Sequence, residues 1–176
     1  NNESIMWNGV NATAGQYDGF LTLIKAAGSG AVSAGSGVLD ETNIIATIWD
    51  VIATASNGVK GAAEKPTIYM GQVAFEYYMQ AQIAAGNGWY LTGGPEVSRR
   101  FVGMYDIAVC PGMAADNIVF AQKSNLMLGT WQENQMNEVF ILDMQNLDGS
   151  QNVRYGARFY IGAQIAVGED ITYWGA

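Results

Sequence analysis

The stretch NVRYGARFYIGAQIAVGEDI, residues 152–171, repeats its character every second residue. Val153, Tyr155, Ala157, Phe159, Ile161, Ala163, Ile165 and Val167 make one series, with no charge in it. Arg154, Gly156, Arg158, Tyr160, Gly162, Gln164, Ala166 and Gly168 make the other. A period of two predicts a β-strand with one buried apolar face and one polar face. Held extended it would span roughly 50 Å, whereas ordinary strands stop after about 5–6 residues. Gly156, Gly162 and Gly168 all fall in the polar series, where bulges or bends interrupt a strand.

Upstream, NEVFILDMQNLDGSQ at 137–151 supplies a second extended run and then Asp148-Gly149, a turn signal. Together the two runs read as a long hairpin. A hairpin of this length reaches beyond one compact core, towards another domain or another subunit.

With 176 residues the chain can form one medium domain or two small lobes sharing a core. Its 49% apolar and 14% charged composition is that of a globular protein. Low charge combined with 9 tyrosines and 5 tryptophans fits protein–protein contact, and fits a β-rich core equally well. The formal net charge of −8 argues against a general nucleic-acid footprint, though not against a wall that confines nucleic acid.

Cys110 is the single cysteine, so the chain can form no internal disulfide and no cysteine-based zinc cluster, and a reducing compartment at synthesis is expected. No run reaches the ~20 apolar residues of a membrane span; the best candidate, NIIATIWDVIATA at 43–55, is broken by Asp50. No signal peptide is visible. The sequence begins at Asn1 without an initiator methionine, which suggests a processed product or an excised piece.

Along the chain, residues 1–27 read as polar and turn-rich, with Asn8-Gly9 and Asp18-Gly19 as punctuation, and GSGAVSAGSG at 28–37 reads as a flexible connection. Asp40 is a candidate N-cap for a helix ending at Asn57-Gly58. PTIYM at 66–70 reads as a short buried strand, and residues 71–86 as a second amphipathic helix with Gly86 in the stop position. RRFVGMYDIAVC reads as strand, Pro111-Gly112 as a turn and NIVFA as strand, while KSNLMLGTWQEN has no clear form. The fold class is α+β, with no internal repeat.

Catalytic chemistry finds little support. The absence of histidine removes Ser-His-Asp and Cys-His arrangements and the commonest general base. Cys110 reads as an inert thiol at a strand end, because no neighbouring residue would lower its pKa. The glycines at 28–37 miss the dinucleotide pattern, with Ser33 at the third glycine position, and no phosphate-loop ending occurs. Asp40-Glu41 is explained by a helix start and Glu169-Asp170 by a solvated turn. Asn11-Ala12-Thr13 matches a glycosylation acceptor, best taken as chance without a signal peptide. No enzyme activity, cofactor or metal is expected.

Arg154 and Arg158 point the same way along the strand, four residues apart. They are either solvated or paired with a strand neighbour such as Asp143, or they form an ion-pair seam with an adjacent subunit. Arg99, Arg100, Trp131, Arg154 and Arg158 are the candidate subunit contacts.

The order of elements resembles the major capsid proteins of tailed bacteriophages. Residues 125–171 are similar to that family's closing segment, where an NL-x-x-GT phrase precedes a hairpin carrying spaced arginines and a GxQ phrase. Asn125, Leu126, Gly129 and Thr130, then Arg154, Arg158, Gly162 and Gln164, match it. PTIYMGQVAFEYYMQAQ resembles the family's strand and helix in the axial lobe, and FVGMYDIAVCPGMAADNIVFA its strand, proline turn and strand. IMWNGVNATAGQYDGFL resembles the glycine-rich segment after the family's long helix.

The resemblance implies an axial domain at 38–120, with helices on a small mixed sheet. It also implies a peripheral domain built from the long hairpin at 121–176, to which the segment 1–37 contributes. The family's N-terminal arm, extended loop and spine helix are absent before Asn1. The implied function is a structural shell protein that self-assembles into the pentamers and hexamers of an icosahedral head. The head would enclose DNA without reading its sequence, in a virion made in the cytoplasm of a bacterial host, with no membrane partner. An encapsulin-type nanocompartment is the alternative within the same fold. A β-rich carbohydrate- or ligand-binding module displaying Trp7, Trp89, Trp131 and Trp174 is the alternative from another class.

Overall fold

The structure, a computed structural model, describes residues 2–13, 15–87, 99–101, 104–130, 138–143, 152–158 and 161–175. Its centre is β2 (Thr67–Met70) beside β5 (Ile118–Ala121), every residue of both being buried. Strands with both faces covered need apolar residues at odd and even positions alike. Alternation decides which core each residue enters: Ile68, Met70, Ile118 and Phe120 pack into one apolar cluster, Tyr69, Val119 and Ala121 into a second on the opposite face.

The first cluster is covered by α3 (Ile44–Thr54) and α5 (Gln72–Ala84). Ile44, Ile48, Val51 and Ile52 of α3 and Ala74, Tyr78 and Ala81 of α5 form its helical side. Each large side chain removed from water there contributes roughly 1.5–3 kcal/mol. α5 ends where expected, with Gly86 at φ 79°, a conformation other residues adopt at a cost.

The start of α3 differs from expectation. The Asp40 carboxylate accepts from Thr42 N (2.8 Å), Asn43 N (2.9 Å) and the Thr42 hydroxyl (2.6 Å), so it closes a turn ahead of the helix. Asn43 then takes the cap position. The helix also stops before Asn57-Gly58, because Ser56 accepts from Val59 N and starts α4 (Asn57–Gly61).

The second cluster corrects the reading of residues 1–27 as turns. α1 (Asn2–Asn8) and α2 (Phe20–Lys25) lie there, with Trp7, Phe20, Leu21 and Ile24 buried. Trp7 sits 5.4 Å from the Phe20 ring and 5.6 Å from Tyr69. Two helices of under two turns each repeat their pattern too few times to register in sequence, and burial holds them rather than propensity. The Asn8-Gly9 and Asp18-Gly19 steps do punctuate them, joined by a Gly19 N–H to Gly9 carbonyl bond of 2.9 Å.

The flexible connection at 28–37 is also corrected. Val32–Gly35 is β1, paired in parallel with β10 (Thr172–Trp174) at one edge of the sheet. Its small residues are what let Trp174 lie across the strand, since a side chain at Gly35 would collide with the indole. The expected strand at 99–110 is two: β3 (Arg100–Phe101) and β4 (Tyr105–Val109), antiparallel to one another.

The mixed six-stranded sheet runs β1-β10-β5-β2-β4-β3. It draws strands from all three sequence segments, 1–37, 38–120 and 121–176, so their boundaries do not follow the sheet.

The long alternating run of 152–171 is not one strand. β8 (Val153–Arg158) pairs with β7 (Glu138–Asp143), and β9 (Ile161–Ile165) pairs with β6 (Leu126–Thr130), both antiparallel. Seven residues separate β6 from β7 and two separate β8 from β9, so the two ladders cannot share one register. The Asp148-Gly149 turn lies outside the described residues. Nine residues connect the facing ends Asp143 and Val153, consistent with the hairpin reading.

Candidate assembly interface

The β7–β8 ladder places Val139 opposite Ala157, Ile141 opposite Tyr155 and Asp143 opposite Val153 on one face. The other face carries Glu138 opposite Arg158, Phe140 opposite Gly156 and Leu142 opposite Arg154. The expectation of a buried apolar face fails here. Ile141 is 66% exposed, Tyr155 75%, Val153 48% and Leu142 41%. Exposed apolar side chains therefore stand on both faces of this ladder.

A two-stranded ribbon with large apolar side chains in water is unfavourable for a lone subunit. The sequence signal for it was the partner strand, where Val139, Phe140, Ile141 and Leu142 are consecutive. A strand with a single covered face has no use for four apolar residues in a row.

The basic candidates fall in two places. Arg154 is exposed on the ribbon, on the face opposite to the one that carries Asp143, so the ladder does not set the two side by side as the suggested strand pair; the backbone of Arg158 is described and its side chain lies outside the described residues. Arg99 and Arg100 lie at the opposite edge of the six-stranded sheet from β1, both exposed. Arg100 Nε meets Asp106 Oδ1 at 3.3 Å across β3–β4, with 59% and 64% of the two side chains exposed. Solvent screening leaves such a pair worth ~0–1 kcal/mol at most. Trp131 lies outside the described residues.

The tryptophan platform required by a carbohydrate-binding module is not formed by the residues described. Trp7 is 2% exposed in the second cluster, and Trp174 lies half-buried across Gly35; Trp89 and Trp131 lie outside the described residues. Both phrases that resemble the capsid family, by contrast, face each other. Gly129 is opposite Gly162 and Met127 opposite Gln164 in the β6–β9 ladder.

Cys110 behaves as the sequence suggests, its thiol pushed up to about 12 chiefly by burial. A cleft of about 250 Å³ is lined by Asn8, Leu21, Thr22, Lys25, Ala114 and Asn117. Within it Lys25 Nζ donates to Asn117 Oδ1 at 2.6 Å, and burial lowers the lysine's pKa. Among the described residues no group of three His, Cys, Asp or Glu could hold a metal, and no helix is long and apolar enough to cross a membrane.

No family model matches the sequence, and no characterised protein matches it by sequence. Solved structures match by shape. The capsid of an empty GTA particle, computed with C5 symmetry, superposes with TM-score 0.70 at 17% identity, over 99% of this chain and 62% of that one. A chain from Mycobacterium phage Che8 gives 0.61 at 12% identity, over 88% and 56%. A virus-like particle from Pyrococcus furiosus gives 0.50 at 14% identity, over 86% and 57%. The chain therefore spans less than two thirds of the length of these structures. The chain has the α+β fold of tailed-phage major capsid proteins.

Proposed function

We propose that the chain is a structural shell protein, the major capsid protein of a tailed phage or prophage, acting by self-assembly and not by catalysis. The observation that carries this reading is the β7–β8 ribbon: in a chain of this fold, exposed Ile141, Leu142, Val153 and Tyr155 call for a protein partner. The partner is another copy. Contacts between unlike surfaces close into rings when the rotation closes, which gives pentamers and hexamers of an icosahedral head. Residues 38–120, whose sheet also takes in β1 and β10, form the axial part around the ring, and the remainder of 121–176 with 1–37 the peripheral part.

Arg154 and Arg158 serve the same contact as an ion-pair seam, with Trp131, Arg99 and Arg100 as further contacts. A net charge of −8 suits a wall that encloses DNA without adhering to it. The protein is made in the cytoplasm of a bacterial host and resides in the virion. The likeness to a virus-like particle supports a second reading, an encapsulin-type nanocompartment that encloses protein cargo.

Negative-stain electron microscopy of the product of the complete reading frame tests both. Closed shells or capsomer rings are expected, and nucleic acid in shells recovered from the native source separates a head from a nanocompartment. Well-folded monomers under assembly-favouring conditions would overturn the shell reading.

A further inference from the structure

We infer that Asn125 is a positioning residue that fixes how the C-terminal arm, residues 126–165, leaves the body of the protein. The arm departs at β6 and returns at the end of β9, and Asn125 stands at both points. The residue is 5% exposed. Its Nδ2 donates to the Val167 carbonyl at 2.7 Å, and its Oδ1 accepts from Ala166 N at 3.0 Å and from Val167 N at 2.7 Å. One carboxamide thus ties the outgoing strand to the returning one through three backbone groups, two of them on Val167; the Ala166 N–H is shared with the Asn125 backbone carbonyl at 3.1 Å.

Two brackets hold this neck to the body. On the outgoing side, Glu64 accepts from the Ser124 hydroxyl at 2.6 Å and from Ser124 N at 3.1 Å, and Gln122 Nε2 donates to the Glu64 carbonyl at 2.9 Å. On the returning side, Gly168 lies so close to Ser29 that any side chain would strike its carbonyl oxygen. Leu126, Ala163 and Ile165 pack against the second cluster just beyond. Asn125 is the point where the brackets meet: its own carboxamide is buried and its bonds to the more exposed Ala166 and Val167 hold the two segments in register.

The consequence for a shell rests on the reading above: the arm carries the ribbon that meets a neighbour, so the neck sets the direction of that contact. The test uses amide hydrogen exchange on the unassembled full chain, comparing the native protein with Asn125→Ala. Exchange at 126–130 and 161–167 is expected to quicken by about tenfold or more, while β2 and β5 stay as they were.

Equal quickening in β2 and β5 would make Asn125 an ordinary core residue, and no quickening would mean the neck holds without it; either overturns the inference. Should Asn125→Ala fail to fold, Asn125→Asp keeps the shape and the acceptor for Ala166 N and Val167 N, and replaces the donor to the Val167 carbonyl by a charged oxygen that repels it. The same local pattern is then expected, and its absence overturns the inference. A native chain that never forms shells would refute the shell reading while leaving this exchange pattern standing.

Discussion

Cys110 and Tyr69 belong to the same apolar cluster, and burial is the main cause of both their shifts. The thiol rises from its ordinary 9.0 to about 12 and the phenol from 10.0 to about 12. Because both folded values are raised, the neutral forms favour the native state below pH ~9 and that contribution is lost as the unfolded groups ionise first. Stability should therefore fall between about pH 9 and pH 12. Urea midpoints measured across that range should show it, and Cys110→Ala and Tyr69→Phe should each flatten the curve. A thiol reagent at pH 8 should label native Cys110 far more slowly than the unfolded chain. The inert character of Cys110 was legible from Val109 and Pro111 around it. The burial of Trp7 was not, because its neighbours Phe20 and Tyr69 are distant in sequence.

The ribbon of β7 and β8 shows how an element's pattern can be read correctly and its surroundings misassigned. Alternation did mark strand at 153–158 and 161–165, though not at 166–171, yet it carries no information on whether solvent, the body or another subunit lies against the apolar face. Since Ile141 and Tyr155 make an exposed cross-strand pair, replacing them should scarcely disturb the subunit. Ile141→Glu with Tyr155→Ser should leave its stability within ~1 kcal/mol, the range of surface and cross-strand changes. The same double variant should abolish assembly into rings or shells, as read by sedimentation and microscopy. Unchanged assembly would remove the ribbon from the interface. α3 was legible because it spans three turns with one apolar face, and α5 through its length and the Gly86 stop, although Val73 and Ile83 on it are exposed; α1 and α2 were too short for a period to register.

Sixteen acidic and eight basic side chains give every copy a net charge of −8, and copies brought together in a ring repel. Raising salt from about 0.1 M to about 1 M shortens the screening length from about 10 Å to about 3 Å. If the apolar ribbon face provides the main contact, assembly should begin at a lower protein concentration in high salt, as followed by light scattering. A shift in the opposite direction would make the Arg154 and Arg158 seam the dominant contact. The likeness to capsid chains at 12–17% identity is a likeness of shape, held by which faces are apolar rather than by which residues supply them.

Local chemistry was enough to locate β2, β5, α3 and α5, to show that the sequence holds no histidine and no pair of cysteines for an internal disulfide, and to suggest the family through the order of phrases. Propensity, periodicity and capping act over a few residues, and those features lie within that reach. Tertiary structure alone decided that Gly- and Ser-rich 32–35 is an edge strand, since the hydrogen bonds that make it one come from Thr172–Trp174. It alone divided the alternating run between two partner strands, and sent odd and even residues of β2 and β5 into separate cores. Each outcome depends on what lies across a face or an edge, and a contact between segments a hundred residues apart leaves no period in either one.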